Sequence, residues 1–160
     1  MRIGVVSDTH GQVAFTRQAI GMLESCEVEQ VIHCGDIGSV EIVKQFAPWP
    51  THFVFGNVDD NREELRQAMA DGRHVCHERR GELELEGRRI AFLHGDDTRL
   101  LGDLVTSGLY DLVCHGHTHV AQHVMYGSTH VLNPGALYRA AFHSLALLEL
   151  PELEVTLVKL

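Results

Sequence analysis

Two packed sheets with helices on their outer faces, an α/β fold, are predicted by three observations on this chain. Residues 2–70 run strand, loop, helix three times in succession, the order that builds parallel strands with right-handed crossovers. After Gly72 the texture turns β-rich. Asp8, Asp36, Asn57, His94 and His117 each follow a predicted strand, and ligand sites of α/β sheets gather outside the carboxyl ends of strands.

Arg2 to Ser7 is a short Ile- and Val-rich run closed by the polar Asp8-Thr9-His10-Gly11, as expected of a strand buried on both faces. Gln12 to Ser25 carries Val13, Ala19, Ile20 and Leu23 at helical spacing. The second unit has Gln30 to Cys34 as strand and Val40 to Phe46 as helix; the third has Thr51 to Phe55 and Asn61 to Ala70, with Asp60 and Glu63 predicting a capping box. Strands are then expected at His74 to His77, Glu82 to Glu86, Arg88 to His94, Asp111 to His115, Gln122 to Tyr126, His130 to Leu132, Ser144 to Leu150 and Leu153 to Val158. A helix is expected at Thr98 to Ser107. No repeat, low-complexity stretch or linker interrupts the chain, and its 160 residues are expected to form one domain with a sizeable core.

Composition narrows the function. A formal charge of -9 argues against a general nucleic-acid binder, which needs a basic face. No apolar run approaches the ~20 residues of a membrane span, and the start is too short in apolar residues for a signal peptide, so a cytoplasmic protein is expected. Four widely spaced cysteines, Cys26, Cys34, Cys76 and Cys114, suggest neither disulfides nor a zinc knuckle. The twelve histidines are the compositional outlier, spread from His10 to His143.

Two pairs with a one-residue gap, Asp8-Thr9-His10 and His117-Thr118-His119, carry the most chemistry. In extended backbone such a spacing puts both side chains on one side. Gly35-Asp36, Gly56-Asn57 and His94-Gly95 lie between them, each where an apolar run meets a glycine. Together they offer carboxylate, amide and imidazole groups, enough for two divalent ions. This donor set suits Mn, Fe, Zn, Co or Ni, and ligand type does not select among them; for an activity assay manganese is the ion expected. Two such ions polarise a phosphoryl oxygen and acidify water, so a dinuclear metallohydrolase is the leading reading, and their local positive field is compatible with an anionic substrate despite the net charge.

Asp8-x-His10, Gly35-Asp36, Gly56-Asn57, His94-Gly95 and Gly116-His117-x-His119 resemble the calcineurin-like metallophosphoesterases, and their order and spacing resemble the small YfcE-type phosphodiesterase branch, which includes the retromer small subunit. The resemblance runs from Asp8 to Asn133-Pro134-Gly135. It implies a four-layer α/β/β/α sandwich of two mixed sheets. Asp8, His10 and His119 would hold one metal, Asn57, His94 and His117 the other, with Asp36 as the bridge. A phosphodiester would then be cleaved by in-line attack of a metal-bound hydroxide. Many relatives carry histidine after the asparagine, where this chain has Val58, which counts against strong phosphomonoesterase activity. Ala136 replaces the serine that many close relatives have after Asn-Pro-Gly. A vestigial interaction module on the same fold is the competing expectation.

Around this set, His115, Thr118, Asp96, Asn133 and Arg139 are candidates for supporting the metal loops or touching substrate, with packing under the site, helix capping, turn-fixing and plain surface exposure as the ordinary alternatives. His33 reads as a hydrogen-bonded core residue. His52, His74, His77, His123, His130 and His143 read as surface or strand-face groups, and Glu82, Glu84 and Glu86 as the polar face of an edge strand. The apolar C-terminal strands suit either the core or a homo-oligomer interface.

Overall fold

The computed structural model describes residues 1–160. Its first half alternates β1 (Arg2–Val6), α1 (Val13–Ser25), β2 (Gln30–His33), α2 (Val40–Gln45), β3 (Thr51–Phe53), α3 (Arg62–Ala70) and β4 (Val75–Cys76). The second half holds β5 (Arg80–Leu85), β6 (Arg88–Leu93), α4 (Thr98–Thr106), β7 (Leu112–Cys114), β8 (Gln122–Tyr126), β9 (Thr129–Asn133), β10 (Ser144–Glu149) and β11 (Glu154–Lys159).

One sheet has the order β11-β10-β1-β2-β3-β4 and the other β5-β6-β7-β9-β8. Both are mixed. β1 to β4 run parallel with an antiparallel β10–β11 pair on one flank, while β6, β7 and β9 run parallel between two antiparallel edge strands.

Three apolar cores separate four layers. Ile3, Val5, Ile32, Ile90, Phe92, Leu112, Leu132 and Leu148 fill the space between the sheets. Val31, Ile42, Phe46, Phe53 and Leu65 join the first sheet to α1, α2 and α3, and Ala91, Leu93, Val113 and Leu104 join the second to α4. The two-sided burial of β1 explains its unbroken apolar run. Gly4 sits where a Cβ would press on the Leu23 side chain, so the absent side chain is what lets α1 lie close.

The capping box is a correction. Asn61 stands at the N-terminus of α3 with no side-chain cap, and Asp60 turns back so that its N–H donates to Val58 O at 3.1 Å. The cap that does form is Asp97 on α4, which accepts from Leu100 N. Glu86 and Gly87 both adopt positive φ, 49° and 73°, in the two-residue turn joining the paired Leu85 and Arg88. This is the type I′ geometry whose twist matches a hairpin. β5 is an edge strand with Glu82 and Glu84 exposed, as expected, whereas Glu86 belongs to the turn.

Candidate metal centre

β1, β2 and β3 are neighbours in one sheet and β6 and β7 in the other, so the loops after all five open on a common edge. Those loops are zipped by main-chain bonds that continue the parallel ladder past the strands. Asp8 N donates to Gly35 O, His10 N to Asp36 O and Gly11 N to Ile37 O, at 2.9 to 3.0 Å. Gly116 N donates to His94 O at 2.8 Å, and Leu137 N to Asp8 O at 3.2 Å.

The side chains converge by a different route from the one their spacing predicts. Asp8, His10, His117 and His119 are not extended; with Asp36 they occupy the left-handed region at φ 44° to 68°. Strand alternation therefore does not aim these groups. Single left-handed residues in tight loops do, a strained arrangement that persists only where surrounding bonds over-determine it. Asp and His tolerate this region better than most side chains.

Asp8 and Asp36 are 0% and 3% exposed. Asp8 Oδ2 accepts from Ser7 Oγ at 2.6 Å and from His117 N at 3.1 Å. Its Oδ1 is buried without a hydrogen-bond partner, although His119 Nε2 lies 3.0 Å away and His10 Nε2 3.7 Å away. His10 Nε2 is itself 3.4 Å from His119 Nε2 and 3.4 Å from Asp36 Oδ2. On the other side, His94 Nε2 is 3.2 Å from Asp36 Oδ2 and 3.1 Å from Asn57 Oδ1.

Two of these imidazoles have their outer nitrogen directed at a carbonyl: His94 Nδ1 is 2.8 Å from Cys34 O and His119 Nδ1 3.3 Å from Arg139 O. That pairing favours the tautomer with a free lone pair on Nε2. For His94 this turns the Nε2 lone pair toward two oxygens, an arrangement needing a cation or a proton between them. Burial lowers the His94 pKa, but Asp36 and then Asp8 overcome it and hold the ring at about 9. Burial likewise raises both carboxyls, and is outweighed at Asp8 by His10 and Ser7 and at Asp36 by His94 and the Val58 N–H, leaving each below its ordinary value.

These groups suit divalent cations. An orphaned carboxylate oxygen is ringed by imidazole nitrogens that make no hydrogen bond to it. Asp8, His10 and His119 form one set of mutually close donor atoms, and Asp8, Asp36 and His94 another. The cradle is also shaped by glycine: a Cβ on Gly56 would collide with the Asp36 carboxylate, and one on Gly116 with Ser7 and Asp8.

Not every expected residue enters this cluster alike. His117 is exposed, contributing its backbone N–H to Asp8 and stacking edge-on against the His94 ring at 5.1 Å between centroids. Asn133 braces the loop, its Nδ2 donating to Gly116 O at 2.9 Å and Thr118 Oγ1 at 3.0 Å while Oδ1 accepts from Gly135 N. Thr118 is thus tied down from below. His115 is half-buried with Nδ1 3.1 Å from Gly116 O, packing beside Gly95. Asp96 is exposed and lines a small polar cleft with His94 and Gly95. Arg139 reaches the site through its carbonyl; its guanidinium lies over the Tyr138 ring.

Sequence reasoning passes over Asp59 and assigns His33 only to the core. Asp59 is 1% exposed, accepting from Gly38 N at 2.9 Å and Gly56 N at 2.8 Å, so one carboxylate ties the Asp36 loop to the Asn57 loop. Burial raises its pKa. Its signal was the one-residue gap in Asn57-Val58-Asp59, the same as in Asp8-Thr9-His10. His33, fully buried, accepts from Gly35 N at its Nδ1 and donates through Nε2 to Thr9 Oγ1 at 3.0 Å, which in turn donates to Ile37 O. Burial lowers His33 to about 3, so it is a neutral strut beneath both loops.

The largest concavity, 720 Å³ between α2 and α3, contains none of these groups; Val40, Lys44, Glu63, Glu64 and Asp71 are among its walls. The convergent chemistry lies at the loop edge.

The chain belongs to the calcineurin-like phosphoesterase superfamily, whose domain model matches residues 1–152. It is 33% identical over 138 residues to a phosphodiesterase of Methanocaldococcus jannaschii, covering 84% of this chain and 83% of that protein. The structure of an archaeal phosphodiesterase superposes with a TM-score of 0.93 at 30% identity over 100% of both chains. A phosphoesterase from E. coli has a TM-score of 0.71 at 16% identity, covering 99% of this chain and 98% of its own, and shares the fold. The protein is therefore a hydrolase of phosphoesters in a family that uses divalent metals. No helix of the structure is long and apolar enough to cross a membrane.

Proposed function

We propose that residues 1–160 act as one metallophosphoesterase domain that hydrolyses a phosphodiester at two divalent ions. Asp8, His10 and His119 hold one ion, Asn57, His94 and His117 the other, and Asp36 is shared. The observation that carries this reading is Asp36 Oδ2, a single oxygen 3.4 Å from His10 Nε2 and 3.2 Å from His94 Nε2. When bound, such a pair of ions polarises a phosphoryl oxygen and makes hydroxide available near neutral pH.

The chain's own contribution is positional. Asp8 and Asp36 are fixed by Ser7 Oγ, His117 N and Val58 N, so little reorganisation is required when substrate arrives. Asn57 and His117 are exposed at the mouth, where an incoming phosphate meets them. Val58, 44% exposed beside Asn57, offers no proton to a departing alkoxide, which favours esters with good leaving groups. The mixed oxygen and imidazole donors accept Mn, Fe, Zn, Co or Ni, and manganese is the ion proposed for activity. Four free thiols support the reducing cytoplasm as its compartment.

The test is hydrolysis of bis(p-nitrophenyl) phosphate by metal-stripped protein, with p-nitrophenyl phosphate in parallel. Turnover should appear only on adding metal and be faster on the diester. Silence with all five metals would overturn the reading.

A further inference from the structure

We propose that a small apolar pocket beside His119 seats a flat aromatic group on one ester arm of the substrate. This rests on the phosphodiesterase reading above and names the substrate class it handles.

The pocket measures about 110 Å³ and is walled by His119, Val120, Ala121, Ala141 and Phe142, four of the five apolar. An apolar cavity of about 150 Å³ holds benzene, so a pocket of this size, open to solvent, takes one six-membered ring with part of it projecting. Val120 is 63% exposed and Phe142 45% exposed, and both stand to lose water contact to an occupant. Lys159 Nζ lies over the Phe142 ring at 4.8 Å, a cation–π contact on one face of that wall. The alanines at 121 and 141 leave the space between the two larger side chains.

Position decides the occupant. His119 is one of the pocket's walls and its Nε2 lies 3.0 Å from Asp8 Oδ1, so the pocket adjoins the proposed metal centre. At the opposite end, beside His94, the cleft is lined by Arg62, Arg79, Asp96 and Asp97 and has only about 30 Å³ of room. A ring cannot enter there. The two ends thus differ in chemistry, and the aromatic arm is directed to the His119 side. An aryl group and a nucleobase share this flat, apolar character.

The experiment measures phosphonate binding to manganese-loaded protein by calorimetry, using methylphosphonate and phenylphosphonate. Each presents the same anion and a single arm. Phenylphosphonate should bind roughly tenfold more tightly or better, and the preference should collapse toward one in Phe142→Ala and in Val120→Ser. Both residues are exposed, and circular dichroism checks that each variant keeps its fold. Equal affinities in the parent protein overturn the aromatic subsite and leave the metal-site reading standing. Failure of both phosphonates to bind overturns that reading and the subsite with it. A phenyl preference that survives both substitutions also overturns the proposal, since the ring would then sit elsewhere.

Discussion

Asp59 shows how a residue that touches no proposed metal position governs the ones that do. Its two oxygens accept the Gly38 and Gly56 N–H groups, setting the spacing between the Asp36 and Asn57 loops. Asp59→Asn keeps the shape but turns an NH2 toward one of those donors, losing one bond and leaving a buried N–H unpaired. The cost is about 1–3 kcal/mol of stability. Metal affinity should fall about 10–100-fold, as is usual when a group orienting ligands is removed. Calorimetric titration with Mn and a thermal melt separate the two effects; unchanged affinity would show the loops to be positioned without Asp59. The cluster's members were legible in the sequence because loop residues at strand ends must either cap, turn or bind, and so many chemically matched ones together favour binding. Their backbone was not legible. A one-residue gap says the same for extended and left-handed chain, and only tertiary bonds such as Asp8 N to Gly35 O choose between them.

Elements were easiest to read where burial is symmetric. β1, β2 and β7 are continuous apolar runs because both faces pack, and α1 shows its stripe because only one face does. The order of strands was not readable: β10 inserts beside β1 from the far end of the chain, and nothing local announces that pairing. The same holds for the link between β3 and the segment after β4, where His52 Nδ1 meets His77 Nε2 at 3.0 Å and His52 Nε2 meets Gln30 Oε1 at 3.2 Å. In the neutral ring Nε2–H donates to Gln30 and Nδ1 accepts from His77. Burial, then the neighbouring His77, lowers His52 from 6.5 to about 4. A folded state that resists protonation loses stability as the unfolded state takes up protons. The contribution is therefore whole above pH 6.5, declines as pH falls, and is gone below about 4. A full shift would carry ~3 kcal/mol, but partial solvation of the ring reduces this to about 1 kcal/mol. Urea unfolding from pH 7.5 to 4 should show a shallower decline for His52→Gln than for the parent protein. Parallel curves would remove His52 from the account.

Across the whole fold, the two sheets meet at one edge, and each brings part of the proposed donor set: Asp8, His10, Asp36 and Asn57 from loops of the first, His94, His117 and His119 from loops of the second. A cation held there would cross-link the sheets through charge as the apolar core does through burial. Without it, Asp8 Oδ1 stays buried and unpaired, and the Asp8 and Asp36 carboxylates share a donor cluster with only imidazoles between them. An unfolded chain has no such site, so binding free energy adds to folding free energy. At a free Mn concentration 100 times the Kd this amounts to about 2.7 kcal/mol, which for a chain of this size raises Tm by roughly 5–10 °C. Scanning calorimetry of metal-stripped protein against a manganese series should show Tm climbing with the logarithm of concentration. Asp36→Asn should flatten that climb, because in the proposed centre its carboxylate serves both halves. An exposed acid such as Glu84→Gln, on the edge strand β5, should leave the climb intact. A Tm indifferent to manganese, or one that rises equally in Asp36→Asn, would mean that the sheets are not joined through this centre.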